Sequence, residues 1–444
     1  MAVRLDIRDS GFEKQFSALL AAKREQAEEV DHVVRDIIRA VRDSGDAALR
    51  DYTMRFDHFD IGVGAMQVGA AEIEAALDEV GRENFAALSF AAERITAHHR
   101  RQLPQDDRYT DATGAELGHR WTPVDAVGLY VPGGMASYPS SVLMNAIPAR
   151  VAGVPRVVIT VPAPHGVLNP MVLTAAHVAG VSEIYRVGGA QAIAALAYGT
   201  ETIRSVAKIV GPGNAYVAAA KRQVFGIVGI DLIAGPSEVL IVADRDNDPA
   251  WIAADLLAQA EHDQAAQAIL ITDDASFADA VAAQVDAQLR TLPRGNIAGA
   301  SWSNFGAIIV VERLDQAPSL VNRIAPEHLE LETADAEGLL AEIRHAGAIF
   351  IGRFTPEAIG DYVAGSNHVL PTARSARFSS GLGVLDFMKR TSVLRLTAQS
   401  LAALGPAAMA LATVEGLEAH RRSIAIRLDQ AIEAQDAASP ETAV

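Results

Sequence analysis

The chain reads as an α/β protein built on parallel sheets, with smaller, mainly helical segments at both ends. Three observations predict this. Short β-branched runs alternate with Ala-rich helical stretches from about position 123, several runs pass straight into glycine-rich turns, and the flanking regions space their apolar residues as helices do. The runs are AVGLYV, RVVITV, EIYRV, AKIV, EVLIVA, AILIT, AIIVV and AIFIG. Strands separated by helices favour βαβ units, which usually bind ligands in the turns after the strands.

Residues 1–100 are expected to be mainly helical, because Val30, Val33, Val34, Ile37, Ile38 and Val41 form one apolar stripe. A second helical region covers AAEIEAALDEV and ENFAALSFAAERITAHH, and the character changes at Trp121-Thr122-Pro123. Residues 123–238 hold four strand–helix units and are expected to form one domain. Residues 239–380 continue the pattern and are expected to form a second, together with the helical 25–122. After about 381 helices dominate, and the final AQDAASPETAV reads as a disordered tail.

The 444 residues suffice for more than one domain, at the usual size of about 100–200 residues each. Half are hydrophobic and 21% charged, an ordinary globular balance. A net charge of −17 argues against a nucleic-acid partner, since phosphate backbones demand basic surface. No 18-residue apolar run exists, and MAVRLDIRDSGFEKQ lacks an apolar signal core, so a cytoplasmic protein without a membrane partner is expected. The chain has no cysteine, which removes thiolate metal ligands and the thiol nucleophile often used on aldehydes. Any bound metal must be held by nitrogen and oxygen.

Several stretches offer such donors. In AQAEHD, Gln259 and His262 stand three apart in a run that reads as helical, so they share a face. That is half a site for zinc or a similar ion, or a solvated helix surface. The turns VGLYVPGG (127–134), VGGAQA (187–192) and VGPGNAY (210–216) each place glycines directly after a strand. None is a complete GxGxxG, and glycine serves many turns that hold no ligand. Three in one domain point to a dinucleotide site. RIAPEHLELE sets Glu327 beside His328 at the start of a strand with one buried face, where a shielded carboxylate would suit proton transfer. Two solvated polar groups on a strand edge is the equal alternative. GDYVAGSNHVLPT adds Asp361 and His368, and EGLEAH adds Glu415 and His420, whose spacing of five does not share a helical face. His98 and His99, beside Arg100 and Arg101, read as exposed charge.

The strings VPGGMASYPSSVLMNAIPARVAGV, VGGAQAIAALAYGT, KIVGPGNAYVAAAKR, IAGPSEVLIVAD, DLLAQAEHD, NRIAPEHLEL, AGSNHVLPT, RFSSGLGVLDFMKRTSV and EGLEAH strongly resemble the histidinol dehydrogenase family, from about position 25 to 430. The resemblance implies two incomplete Rossmann-like domains, an N-terminal arm over 1–24 and a helical 381–444 segment that crosses to a partner in a homodimer. It implies oxidation of L-histidinol to L-histidine through the aldehyde, with two NAD and one zinc per subunit. Position by position, it makes Gln259, His262, Asp361 and His420 the metal ligands, and Glu327 and His328 the acid/base pair. Ser237, His368 and Glu415 match substrate contacts, joined by His328 and the metal ligands. Tyr130, Gln191 and Asn214 match nucleotide-binding positions. Met135 and Ser366 differ from the family pattern beside its motifs.

On this resemblance His328 takes the hydroxyl proton, Glu327 helps water add to the aldehyde, and Glu415 contacts the amino end of the substrate. Three rivals compete: a related dehydrogenase acting on a sulfonated diol, a zinc hydrolase using Glu327, and a non-catalytic binding protein. The filled metal and Glu415 positions oppose the first, and the glycine turns oppose the second.

Overall fold

The computed structural model describes residues 2–22, 28–62, 65–133, 138–233 and 235–438. In chain order the strands are β1 (Val3–Asp6), β2 (Asp107–Thr110), β3 (Glu116–Pro123), β4 (Ala126–Tyr130), β5 (Arg156–Thr160), β6 (Glu183–Tyr185) and β7 (Lys208–Val210). They continue as β8 (Gly229–Ile230), β9 (Glu238–Ala243), β10 (Gln267–Thr272), β11 (Ala307–Val310), β12 (His328–Glu332), β13 (Ala348–Ile351) and β14 (Met388–Arg395). The helices are α1 (Phe12–Ala21), α2 (Glu28–Asp57), α3 (Ala70–Arg100), α4 (Pro139–Val151), α5 (Pro170–Val178), α6 (Gly189–Tyr198) and α7 (Ala215–Val224). Then follow α8 (Pro249–Ala260), α9 (Ala275–Leu289), α10 (Gly295–Phe305), α11 (Ala317–Ile324), α12 (Ala336–Leu340), α13 (Glu357–Tyr362), α14 (Ala398–Val414) and α15 (Glu418–Ala438).

These elements fall into two compact units, Met1–Leu103 with Val124–Phe387, and Pro104–Pro123 with Met388–Val444. The first holds two parallel sheets. One has the order β6-β5-β4-β7-β8 and the other β1-β11-β10-β9-β12-β13. Each is a doubly wound sheet whose strand order reverses beside its first strand, β4 in one and β9 in the other. The expected α/β class with parallel sheets is what the chain adopts.

Local chemistry starts the helices where the strands hand over. Asp248 caps α8 by accepting from Ala250 N, with Pro249 at the first helical position, and Asp274 caps α9 through Phe277 N. The strands then bury both faces. Leu240, Val242, Leu329 and Leu331 pack under α11 and α12, while Val239, Ile241 and Ala243 pack under α8 and α9. Each such side chain removed from water contributes about 1.5–3 kcal/mol.

Packing assigns the N-terminal helices to the five-stranded sheet. The predicted stripe of Val34, Ile37, Ile38 and Val41 sits in one core with Tyr130, Val158, Ile193 and Val217, and α3 lies against α4 and α5. So the helices expected to join 239–380 cover 123–238 instead. Residues 3–21, expected as an arm, dock on the six-stranded sheet: β1 pairs with β11, and Leu5, Phe12 and Phe16 are buried.

The second unit has its own antiparallel sheet, β14-β3-β2, and the helix pair α14 and α15. Gly405 lets these helices close, since a Cβ there would stand 2.8 Å from Leu428 Cδ1. The strand β14 adds a sheet segment to a region expected to be dominated by helices. MKRTSVLR is almost entirely exposed, so no apolar alternation marks it. The first residues of the expected disordered tail are helical instead, because α15 runs to Ala438, and the rest of that tail lies outside the described residues. No described helix is long and apolar enough to cross a membrane.

One buried charge pair holds a turn between β7 and α7. Gly211 N donates to Asp231 Oδ2 at 2.8 Å, Lys221 Nζ donates to Gly211 O at 2.9 Å, and Lys221 forms an ion pair with Asp231. Both charged side chains are essentially shielded from water. Gly211 itself has φ +109°, and a Cβ would lie 2.2 Å from Tyr130 O, so no other residue fits. Removing one partner strands a buried charge, which costs about 3–5 kcal/mol. Lys221→Met is therefore expected to lower unfolding free energy by about that much in denaturant titrations. The Lys221→Met, Asp231→Asn double variant should lose less than the two single losses combined.

Candidate functional site

The site forms at the amino ends of β9 and β12. The helix α11 ends in Ala325, whose left-handed φ of 50° turns the chain through Pro326 and Glu327 into β12. One residue of the neighbouring strand, Glu238, then meets both expected proton carriers through its backbone. Glu238 N donates to Glu327 Oε2 at 2.9 Å, and Glu238 O lies 3.0 Å from His328 Nδ1.

Three further segments converge there. The end of α8 brings Gln259, with His262 one turn on, its N–H donating to Gln259 O at 3.2 Å. The short helix α13 brings Glu357 and Asp361, four residues apart and so on one face. Glu357 Oε2 lies 3.3 Å from His328 Nδ1, and Asp361 Oδ1 lies 3.7 Å from His328 Nε2. The loop after α13 brings His368, whose Nδ1 is 3.1 Å from Asp361 O and whose Nε2 is 3.4 Å from Ser141 Oγ on α4.

Glu327 and His328 are only 5% and 4% exposed, which overturns the open alternative of solvated groups on a strand edge. Leucine alternation marks one buried face of β12, but the opposite face is buried too, under α8 and α13. Gln259 is also buried; His262 is more open to solvent, although the surrounding protein still desolvates its ring.

Hydrogen-bond partners fix the ring and the amide. Nδ1 of His328 faces two acceptors, Glu238 O and Glu357 Oε2, so it keeps a ring proton in either charge state, and Nε2 is the atom that gains or loses the second one. That Nε2 is buried, with Asp361 Oδ1 at 3.7 Å. The Gln259 amide is assigned with its nitrogen toward the same two acceptors, Glu238 O at 3.1 Å and Glu357 Oε2 at 3.2 Å, and that nitrogen also lies 3.1 Å from His328 Nδ1. Its oxygen therefore occupies the other branch.

Charge in this pocket is strongly one-sided. Burial works against a charged His328, yet Glu357, Glu327 and Asp361 outweigh it and push its pKa up to about 10. Burial raises Glu357 to about 8 despite His328. For Asp361 burial acts upward, but His328, His368 and His262 hold its pKa below the usual carboxylate value. Burial lowers both His262 and His368, keeping the imidazoles neutral. Two neutral imidazoles, an amide oxygen and an ionised carboxylate, with surplus negative charge around them, suit a divalent cation bound by nitrogen and oxygen. Gln259, His262 and Asp361 are the residues here that would hold it.

The three glycine turns meet at the carboxyl edge of the five-stranded sheet, at its reversal between β4 and β7. Tyr130 OH accepts from Gly189 N at 3.1 Å, and burial raises that phenol to about 12, so it stays protonated. Gln191 is 1% exposed with Oε1 unpartnered, and Asn214 caps α7 by accepting from Tyr216 N and Val217 N. Gly134 and Met135 lie outside the described residues. The helix α4, which begins shortly after the first of these turns, carries the Ser141 that meets His368, so it joins the two edges.

Ser237 immediately precedes β9, where its carbonyl accepts from Gln267 N at 3.0 Å. Glu415 and His420 belong to the second unit, both exposed, at the end of α14 and the start of α15. Sequence reasoning missed Glu238, Glu357 and Ser141. The four-residue spacing of Glu357 and Asp361 in EAIGDY was a usable signal for one of them.

A separate group of Asp255, Glu330 and Glu332 lies between α8 and β12, with ligand oxygens within 4.8 Å of one another. None was expected as a ligand. Burial and mutual repulsion raise all three, Asp255 to about 6, Glu332 to about 8, and Glu330 well above its ordinary value. They share protons near neutral pH.

A family profile for histidinol dehydrogenase matches residues 20–428. The histidinol dehydrogenase of Rhizobium meliloti (strain 1021) is 69% identical over 97% of this chain and 99% of its own length. That of Brucella abortus (strain 2308) is 65% identical over 97% of this chain and all of its own. The crystal structure of histidinol dehydrogenase from Elizabethkingia anophelis superposes with a TM-score of 0.92 at 35% identity, covering 97% of this chain and 98% of the other. Family match, relatives and fold together define an oxidoreductase that acts on an alcohol or aldehyde. The chain belongs to the histidinol dehydrogenase family.

The shared protons set a pH signature. Glu332 has its folded pKa raised from 4.5 to about 8, so its protonated form is favoured by folding. Stability is fully present below the unfolded value and is lost as pH rises through the folded one. Glu332→Gln cannot ionise, so its stability relative to the native chain should grow by about 2 kcal/mol between pH 5 and pH 9. Thermal melts across that range check it; a constant difference would refute the assignment.

Proposed function

We propose that this chain performs the four-electron oxidation of L-histidinol through L-histidinal to L-histidine, the last step of histidine biosynthesis, with one zinc per subunit and two NAD. The observation that carries the reading is His328. Its Nδ1 is anchored by Glu238 O and Glu357, its Nε2 is left open, and Asp361 and the neutral imidazoles of His262 and His368 stand beside it. That is a base pointed at a place where a polar substrate can sit.

When bound, zinc supplies an anchor for the imidazole and amino nitrogens of histidinol, and NAD supplies the hydride acceptor. Gln259, His262 and Asp361 hold the metal, with His420 as the fourth ligand. His420 and Glu415 come from a second subunit of a homodimer, as the family resemblance implies, and Glu415 takes the substrate ammonium. Ser237 and His368 orient the alcohol.

In the first half, His328 Nε2 removes the hydroxyl proton as hydride leaves the carbinol carbon. In the second, Glu327 accepts a proton from the water that adds to the aldehyde while His328 returns its proton to the aldehyde oxygen, and His328 then removes a hydroxyl proton of the hydrate as the second hydride leaves. With no thiol in the chain, hydration is the route to the acid. Tyr130, Gln191 and Asn214 receive the dinucleotide, where the orphan Gln191 Oε1 accepts a donor and the α7 terminus favours phosphate. The reaction fits a cytoplasmic biosynthetic enzyme.

The expected stoichiometry is two NADH for each histidinol, read by absorbance against substrate consumed; a ratio of one removes the four-electron scheme. His328→Asn should lower kcat by about 10²–10⁴-fold with much less effect on KM. His262→Asn should cut zinc content, measured by metal analysis, and chelation should abolish turnover reversibly.

A further inference from the structure

Glu357 is buried at 2% exposure, and its four-residue spacing from Asp361 is the one mark it carries in the sequence. Its position is unusual in that one carboxylate oxygen serves two different groups. Oε2 stands 3.3 Å from His328 Nδ1 and 3.2 Å from the Gln259 amide nitrogen. The Glu238 carbonyl is shared by the same two groups, at 3.0 Å and 3.1 Å. Its own backbone is fastened as well, with Glu357 N donating to Glu330 Oε1 at 2.6 Å on β12.

We propose that Glu357 is a positioning residue that sets the base and a metal ligand together, holding the His328 ring with Nε2 outward and the Gln259 amide with its oxygen toward the cation. This rests on the functional reading above and deepens it. An amide has no intrinsic preference for which branch faces a metal; presenting its nitrogen would place a donor where an acceptor is required. Two acceptors for its two N–H groups remove that choice. The same acceptors also fix the imidazole, as partners of the non-reacting nitrogen do in metal and catalytic sites generally. Because Asp361 sits one turn further along α13, a displacement of Glu357 would also shift a third element of the site.

The test is a double-mutant cycle on the purified, zinc-loaded protein. Glu357→Gln keeps the shape but makes half of the group a donor. It is expected to lower kcat roughly 10–100-fold, and to speed zinc loss to a chelator by a similar factor, with KM for NAD unchanged within about twofold. Added to His328→Asn, it should cost less than about threefold more in kcat, because the ring it acts through is gone, while the faster zinc loss persists. Glu357→Asp, which restores the charge one methylene short, should recover part of both properties. Wild-type zinc retention in Glu357→Gln, or kcat losses that multiply in full with those of His328→Asn, would overturn the proposal. If Glu357→Gln does not fold, the cycle is run with Glu357→Asp under the same criteria. Full turnover by His328→Asn alone would sink the base assignment instead, and the zinc measurement would still decide Glu357.

Discussion

The structure turns on the burial of polar groups between β12 and the helices α8 and α13. A charge or an unpaired amide there is costly unless its partners are already in place. The Glu238 backbone meets this requirement on both sides of its Cα, its N–H on Glu327 and its carbonyl on His328. Since Glu238 opens β9 and the next residue, Val239, is the register partner of His328 on β12, the sheet ladder itself sets the spacing of Glu327 and His328. Side chains positioned by a central strand have little room to drift, which is what proton transfer over hydrogen-bond distances demands.

The two parallel sheets share one strand order but use opposite ends. In the five-stranded sheet the turns gather at the carboxyl edge beside the reversal, the usual place for a ligand in such folds. In the six-stranded sheet the acid/base pair lies at the amino edge, and the carboxyl side of the same two strands carries the proton-sharing carboxyls Glu330 and Glu332. The two active edges are connected by α4, whose Ser141 reaches His368.

Much of this was legible in the sequence, for identifiable reasons. The eight apolar runs became strands because fully covered parallel strands need continuous hydrophobicity, and the helix caps Asp248, Asp274 and Asn214 sit where a polar residue precedes a helix. What escaped notice lacked a local signal. The strands β2 and β14 are largely exposed and β3 is half-buried without alternation, so pairing between distant segments, not periodicity, makes them strands. The burial of His328 could not be read from HLELE, since alternation says only that its two faces differ. The covering helix α13 lies some thirty residues further along the chain. Likewise α2 and α3 showed an apolar stripe but not which sheet would receive it.

The site also explains its own composition. Three carboxyl groups crowd one imidazole in a buried space, and such an arrangement repels itself unless protons or a cation balance it. Glu330, Glu332 and Asp255 solve that problem with protons, since burial raises all three. On the function proposed above, a proton held at His328 would occupy the base, whereas a cation on Gln259, His262 and Asp361 would offset the field of Asp361 and lower the affinity of His328 for its proton. Two acidic clusters on one strand thus face the same electrostatic penalty. The one with histidines and a buried amide has the donors for a metal, and the one made of carboxyls alone has the means to stay neutral.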